Sequence, residues 1–250
     1  MRNQTRPYVD GRTLLLLLVQ CAGFGLVCVL CALSLLPLWL GGLLSTLLMN
    51  LSFTTWHECS HGNFSLDWRV NHAAGIVSSF FSPYPGYFAR RREHLAHHRW
   101  EGDARLDPVY PRIQTSAFAF PLRLTWMTIT RAGNPIPGEF MPLTSAQRIG
   151  DALTLLLIFG IMAFLLIAGF GLPLLALVIL PRLAVFYLHA FYICWLPHSV
   201  PGGGFEKYRV RDRGLLWRLF TMGQWCHGVH HENPQIPWHR YVGASPGKTP

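Results

Sequence analysis

Residues 13–33 read TLLLLLVQCAGFGLVCVLCAL, with no charged side chain. Three further apolar stretches follow at about 36–56, 150–170 and 172–196. A helix needs about 20 apolar residues to cross a hydrocarbon core, so each stretch is long enough to be a span. Pro37 interrupts the second near its start. The connections at Leu33–Leu36 and Gly169–Pro173 are short and uncharged. The spans therefore pair into two tight helical hairpins. Of the 250 residues 51% are hydrophobic and 13% charged; ordinary soluble domains carry about 25% charged residues. The chain reads as an all-α integral membrane protein of one domain, with four transmembrane helices.

Charge gives the sidedness. Arg69 to Arg148 include ten arginines, and a second basic cluster runs from Lys207 to Arg218, whereas the hairpin tips carry none. The positive-inside rule places both termini and the segments 57–149 and 197–250 on the cytoplasmic side. The net charge of +9 is thus explained by residues flanking spans, and nucleic acid is not an expected partner. Arg2, Arg6 and Arg12 before the first span resemble the start of a signal peptide, but the apolar run is too long and a second span follows at once. The reading is a retained anchor. Segments 76–88 and 116–131 are aromatic and too interrupted to cross, which suits an interfacial position. The six cysteines show neither a disulfide framework nor a zinc-ribbon spacing.

The histidines carry the chemistry. His57 and His61 form HECSH at the cytoplasmic end of the second span. His94, His97 and His98 form HLAHH in the middle segment, and His227, His230 and His231 form HGVHH after the fourth span. On a helix, positions i and i+4 share a face and i+3 flanks it. HxxxH aims two imidazoles one way, and HxxHH aims three into a shared hollow. One such box can be a surface cluster. Three on one membrane face are hard to explain by packing, because buried unpaired imidazoles cost free energy. Imidazole suits zinc, copper, iron and nickel. Eight are too many for one tetrahedral zinc, and two metals fit the count better. Two other classes use histidine differently. A metal transporter would place ligands inside the spans, where only His189 and Arg182 are polar candidates. A zinc hydrolase with Glu58 as base would leave six histidines in surplus.

From about Asn50 to Tyr241 the chain resembles the superfamily of membrane fatty acid desaturases, hydroxylases and carotenoid ketolases. HECSHG, Asn71 with Gly75, HLAHHRW followed by Asp107–Pro108, and HGVHHENP stand in that superfamily's order. The resemblance implies four transmembrane helices capped by a cytosolic helical domain that holds a non-haem diiron centre. Carried over, it makes His57, His61, His94, His97, His98, His227, His230 and His231 iron ligands. A further ligand near the end of the fourth span is common in that superfamily; His198 lies level with the boxes, and His189 lies about 13 Å deeper. His198 is favoured. His72 and His239 match no box.

The implied reaction is O2-dependent oxidation, a desaturation or hydroxylation, of an unactivated C–H bond in a membrane lipid or fatty acyl chain. A carotenoid ketolase or hydroxylase is the alternative, since LPHSVPGGGF is similar to ketolases. With no fused cytochrome domain, an external donor of ferredoxin or cytochrome b5 type is expected. Compactness and the lack of sorting signals suggest a bacterial inner membrane. Metal-bound imidazole usually passes its other N–H to a carboxylate or carbonyl. Glu58 and Glu232 are the leading candidates for that role and Asp107 is a third, although Asp107 could instead pair with an arginine. Arg182, costly inside a membrane, could meet Asp151, a lipid headgroup or water.

Overall fold

Asp10 opens the first helix by lending its carboxylate to the Thr13 N–H at 2.9 Å and the Thr13 hydroxyl at 2.6 Å. From there a computed structural model describes residues 9–130, 133–199 and 214–244. In chain order the helices are α1 Gly11–Ala32, α2 Leu38–His61, α3 Trp68–Ser79, α4 Tyr87–Arg99, α5 Tyr110–Ile113, α6 Phe120–Thr130, α7 Ser145–Ile167, α8 Gly171–His198, α9 Leu215–Thr221, α10 His227–Glu232 and α11 Tyr241–Ala244. No strand occurs among the described residues beyond a single bridge between Val9 and Ser65. Helices α1, α2, α7 and α8 are long and apolar enough to cross a membrane. Pro37 caps the start of α2 rather than breaking it, and α2 continues past a single turn residue, Leu51, into the first histidine box. Arg2, Arg6 and the basic cluster from Lys207 to Arg213 lie outside the described residues.

The chain divides into two compact units. The first comprises Met1–Phe88 and Ser145–Phe186. Its membrane-facing surface is apolar, with Leu15, Leu18, Leu26, Leu156 and Phe159 exposed. The buried stripe of α1 is narrow: Thr13, Gln20 and Val27 recur every seventh residue. α2 ends at Gly62, whose φ of +74° is a left-handed cap that favours glycine. Beyond it, Asn71 bonds the backbone N–H and C=O of Ser65 at 3.2 and 2.7 Å and fixes the turn into α3. Gly75 leaves the space that the Tyr87 ring fills, since a Cβ there would collide with it. Tyr87 is fully buried and donates to the Cys59 carbonyl at 3.1 Å. The spacing of Asn71 and Gly75 therefore braces the helix end that carries His57 and His61. Segment 76–88 is not a single element. It is the last turn of α3, a bend at Phe80–Pro85, and the start of α4.

The second unit comprises Ala89–Thr144 and Tyr187–Pro250. α6 lies against the final turns of α8: Thr125 and Tyr187 share a hydroxyl bond of 2.8 Å, and Phe120 packs on Phe191 and Trp195. Its outer face, including Leu122, Trp126 and Ile129, is exposed, which suits the interfacial position read from 116–131. Arg92 ties α4 to the loop beyond α6 through the carbonyls of Pro137 and Phe140, each at 2.8 Å. Residues 190–195 of α8 form a π-helical stretch immediately before Leu196–His198. Such wide turns often occur at functional sites. Trp225, Cys226, Val229 and Tyr241 make a small core under α10.

Candidate metal centre

In the second unit the histidines form two groups. His97, His198, His227 and His231 each offer a ring nitrogen, and these atoms lie within 4.8 Å of one another. His94, His98 and His230 do the same. The two HxxHH boxes are therefore each divided. On α4, His94 and His98, four apart, serve one group while His97 serves the other. On α10, His227 and His231, four apart, join His97, while His230 joins His94 and His98. The single hollow read from the spacing is two hollows, because i and i+3 point to different sides of a helix. In the first unit, His57 and His61 share one face of α2, with ring centroids 4.8 Å apart.

The contacts between rings favour a cation. His227 Nε2 faces His198 Nε2 at 2.7 Å and His231 Nε2 at 2.9 Å. One imidazole nitrogen carries at most one proton and cannot serve two such neighbours. A positive ion satisfies all three, and nitrogens sharing an ion about 2 Å away stand roughly 3 Å apart. His230 Nε2 and His98 Nε2 stand 2.8 Å apart in the other group. The far nitrogens lie beside carboxylate or hydroxyl oxygens. His97 Nδ1 lies 2.9 Å from Asp107 Oδ1, and His231 Nδ1 lies 3.0 Å from Glu101 Oε1. His230 Nδ1 meets the Tyr241 hydroxyl at 3.0 Å. In the first unit His57 Nδ1 lies 3.2 Å from Glu58 Oε1. These contacts turn the other nitrogen toward the hollow. Burial, followed by the neighbouring His227, His98, His97 and His198, pushes His231 well below the usual histidine range. It is neutral, as a ligand must be.

Each residue singled out from the sequence can now be placed. His198 sits in the four-histidine group, fully buried. His189 does not join a group; it is buried within α8 beside Tyr192. Glu58 and Asp107 contact imidazoles, and Asp107 has no arginine partner among the described residues. Glu232 does not reach an imidazole: it is the last residue of α10 and faces outward, exposed. Glu101 is the carboxylate that stands beside His231. Glu93 pairs with Arg112 at 2.6 Å. Asp151 caps the Phe88 N–H at 3.0 Å and does not meet Arg182. His72 is half-buried, 3.4 Å from the Tyr87 hydroxyl, and His239 is half-buried beside Trp238. Sequence reasoning missed Glu101 and Tyr241. Glu101 had a local signal, three residues after His98. Tyr241 had none.

A family model described as fatty acid desaturase matches residues 33–247. The chain is similar to a temperature-sensitive sn-2 acyl-lipid omega-3 desaturase (ferredoxin), chloroplastic, of Arabidopsis thaliana, at 27% identity over 79% of this chain and 53% of the relative. Chloroplastic omega-3 fatty acid desaturases of Brassica napus and Sesamum indicum are similar at 27% and 25% identity, over 79% of this chain and 57% and 52% of theirs. The chain thus spans about half the length of the curated relatives it matches. No solved structure matches it significantly.

Proposed function

Because the chain belongs to the fatty acid desaturase family, we propose that it is a non-haem diiron enzyme that uses O2 to desaturate or hydroxylate an unactivated C–H bond in a membrane lipid or fatty acyl chain. The observation that carries this reading is the pair of imidazole groups in the second unit, whose nitrogens converge too closely for hydrogen bonding alone. His97, His198, His227 and His231 would hold one iron. His94, His98 and His230 would hold the other, with His57 and His61 as its remaining ligands. Neutral nitrogen donors suit iron, and a purely imidazole first shell leaves the carboxylates to act behind it.

When bound, the metal pair supplies O2 reduction with two external electrons and removal of hydrogen from an alkyl carbon. The chain's own residues do the positioning. Asp107 holds His97 with its outer nitrogen protonated, so that the inner nitrogen remains a free donor, and Glu101 sets a negative charge 3.0 Å from the outer nitrogen of His231. The Tyr241 hydroxyl meets the outer nitrogen of His230. Burial of His97, His198, His227 and His230 excludes bulk water from the reacting region. An active site on the cytoplasmic side would receive electrons from a soluble carrier, of ferredoxin type by analogy with the Arabidopsis relative's printed name. A bacterial inner membrane is the proposed location.

The test is metal analysis of detergent-purified protein together with lipid profiling of cells that express it. The expected result is about two irons per chain and a new unsaturated or hydroxylated acyl chain. Stoichiometric zinc, or no metal and no lipid change with iron and reductant supplied, overturns the reading.

A further inference from the structure

A cavity of about 780 Å³ lies inside the first unit, and no histidine lines it. Its walls are apolar: Phe24 and Cys28 of α1, Met162 and Leu165 of α7, and Leu174 and Leu177 of α8. One end lies at the hairpin tips, by Ser34 and Pro173. At the other end stands Arg182. Eleven residues of helix separate Gly171 from Arg182, or about 16 Å, so the guanidinium sits near the middle of the span.

Arg182 is only partly occupied. It donates from Nη1 to the Ser82 carbonyl at 2.9 Å and from Nη2 to the Phe80 carbonyl, capping the C-terminal end of α3. A guanidinium has five N–H groups in a planar fork. The Nε of Arg182 is buried and bonds nothing. No carboxylate among the described residues pairs with it; the nearest sequence candidate, Asp151, is committed to the Phe88 N–H. An uncompensated cation at this depth is expensive. Nη1 and Nη2 each keep one N–H beyond these carbonyl contacts, and Arg182 lines the cavity, so a carboxylate there can take a charge-assisted hydrogen bond from the guanidinium.

The geometry points to a binding site for one free long-chain fatty acid, its carboxylate on Arg182 and its alkyl chain along the cavity toward the hairpin tips. The apolar walls select an alkyl chain, and the lone cation selects an anion. The depth decides between anionic lipids. A phospholipid phosphate is held at the interface by its hydration and its second chain, whereas a free carboxylate is small enough to travel to the span's midpoint. This site does not depend on the iron reading, because none of its lining residues is a histidine.

The experiment is equilibrium binding of radiolabelled palmitate to the full chain in nanodiscs, with iron content measured in parallel. Wild type is expected to hold one saturable palmitate that oleate displaces and methyl palmitate does not. Leu165→Trp, which fills the cavity and leaves the cap on α3 intact, should weaken binding at least tenfold with unchanged iron content. Arg182→Gln should do the same; if its loss of the α3 cap prevents folding, Leu165→Trp decides alone. Absence of saturable binding, equal competition by methyl palmitate, or unaltered affinity in Leu165→Trp overturns the assignment. The last outcome would place the probe at the histidine groups instead.

Discussion

Asp107 grips His97 with a carboxylate that is itself fully held. Its Oδ1 lies 2.9 Å from His97 Nδ1 and also accepts the Val109 N–H at 2.8 Å, while Oδ2 accepts the Gly102 N–H at 3.0 Å. The side chain is completely buried. Such a carboxylate cannot rotate, so it fixes the plane of the imidazole and raises its basicity. Asp107→Asn keeps the volume and removes the charge. Iron affinity at the four-histidine group should fall by about ten- to a hundredfold. Iron analysis after dialysis against a weak chelator checks this, and a variant that keeps wild-type iron would show that the charge does no work on His97.

Tyr241 acts on His230 with a neutral hydroxyl rather than a carboxylate. Its ring is fully buried in the core of Trp225, Cys226 and Val229. Tyr241→Phe keeps that packing and deletes one hydrogen bond, which is worth about 1 kcal/mol. The protein should fold and retain iron near the wild-type level, with turnover lowered roughly fivefold at that cost. Tyr241→Ala opens the core as well and should cost about 3 kcal/mol or more of stability. Equal thermal stability of the two variants would show that Tyr241 is not a core residue.

The spans and the boxes were legible because their signals are local. Length and apolarity alone mark α1, α2, α7 and α8, and spacing alone groups the histidines into boxes. How the boxes are shared between two groups was not legible from the boxes taken one at a time. It depends on how α4 and α10 face each other, and nothing in HLAHH states which of its imidazoles meets HGVHH. His198 needed a resemblance to be favoured over His189, since both are lone histidines in one apolar helix. Tyr241 stayed hidden because its contact with His230 arises only when α11 folds back on α10. Glu232 misled because it adjoins His231 in sequence, and neighbours in a helix point about 100° apart.

Gly75 gives a stability prediction in the first unit. A methyl group there would collide with the ring of Tyr87, which is enclosed and bonded to the Cys59 carbonyl. The ring cannot retreat, so Gly75→Ala should destabilise by about 1–3 kcal/mol, as overpacking does. Thermal melting in detergent measures it. Tyr87→Phe in the same background should recover little, because the clash involves ring carbons rather than the hydroxyl. Full recovery would show that the hydroxyl, not the ring, is the obstacle.

Acidification should destabilise the metal-free protein, and His231 sets the direction. Burial and the facing imidazoles depress its folded value well below the usual histidine range. The unfolded chain takes up a proton near about pH 6.5, and the folded chain does not. Unfolding therefore binds protons below that pH, and stability present above it is lost as pH falls, by at most about 1.4 kcal/mol per pH unit for this one group. Melting of metal-free protein at pH 7.5 should exceed that at pH 5.5, and His231→Gln should flatten the difference. Bound iron should hold the profile level to lower pH, because the ion competes with protons for the same nitrogens. A melting temperature that rises on acidification would reverse the sign and show that the buried imidazoles are charged in the folded state.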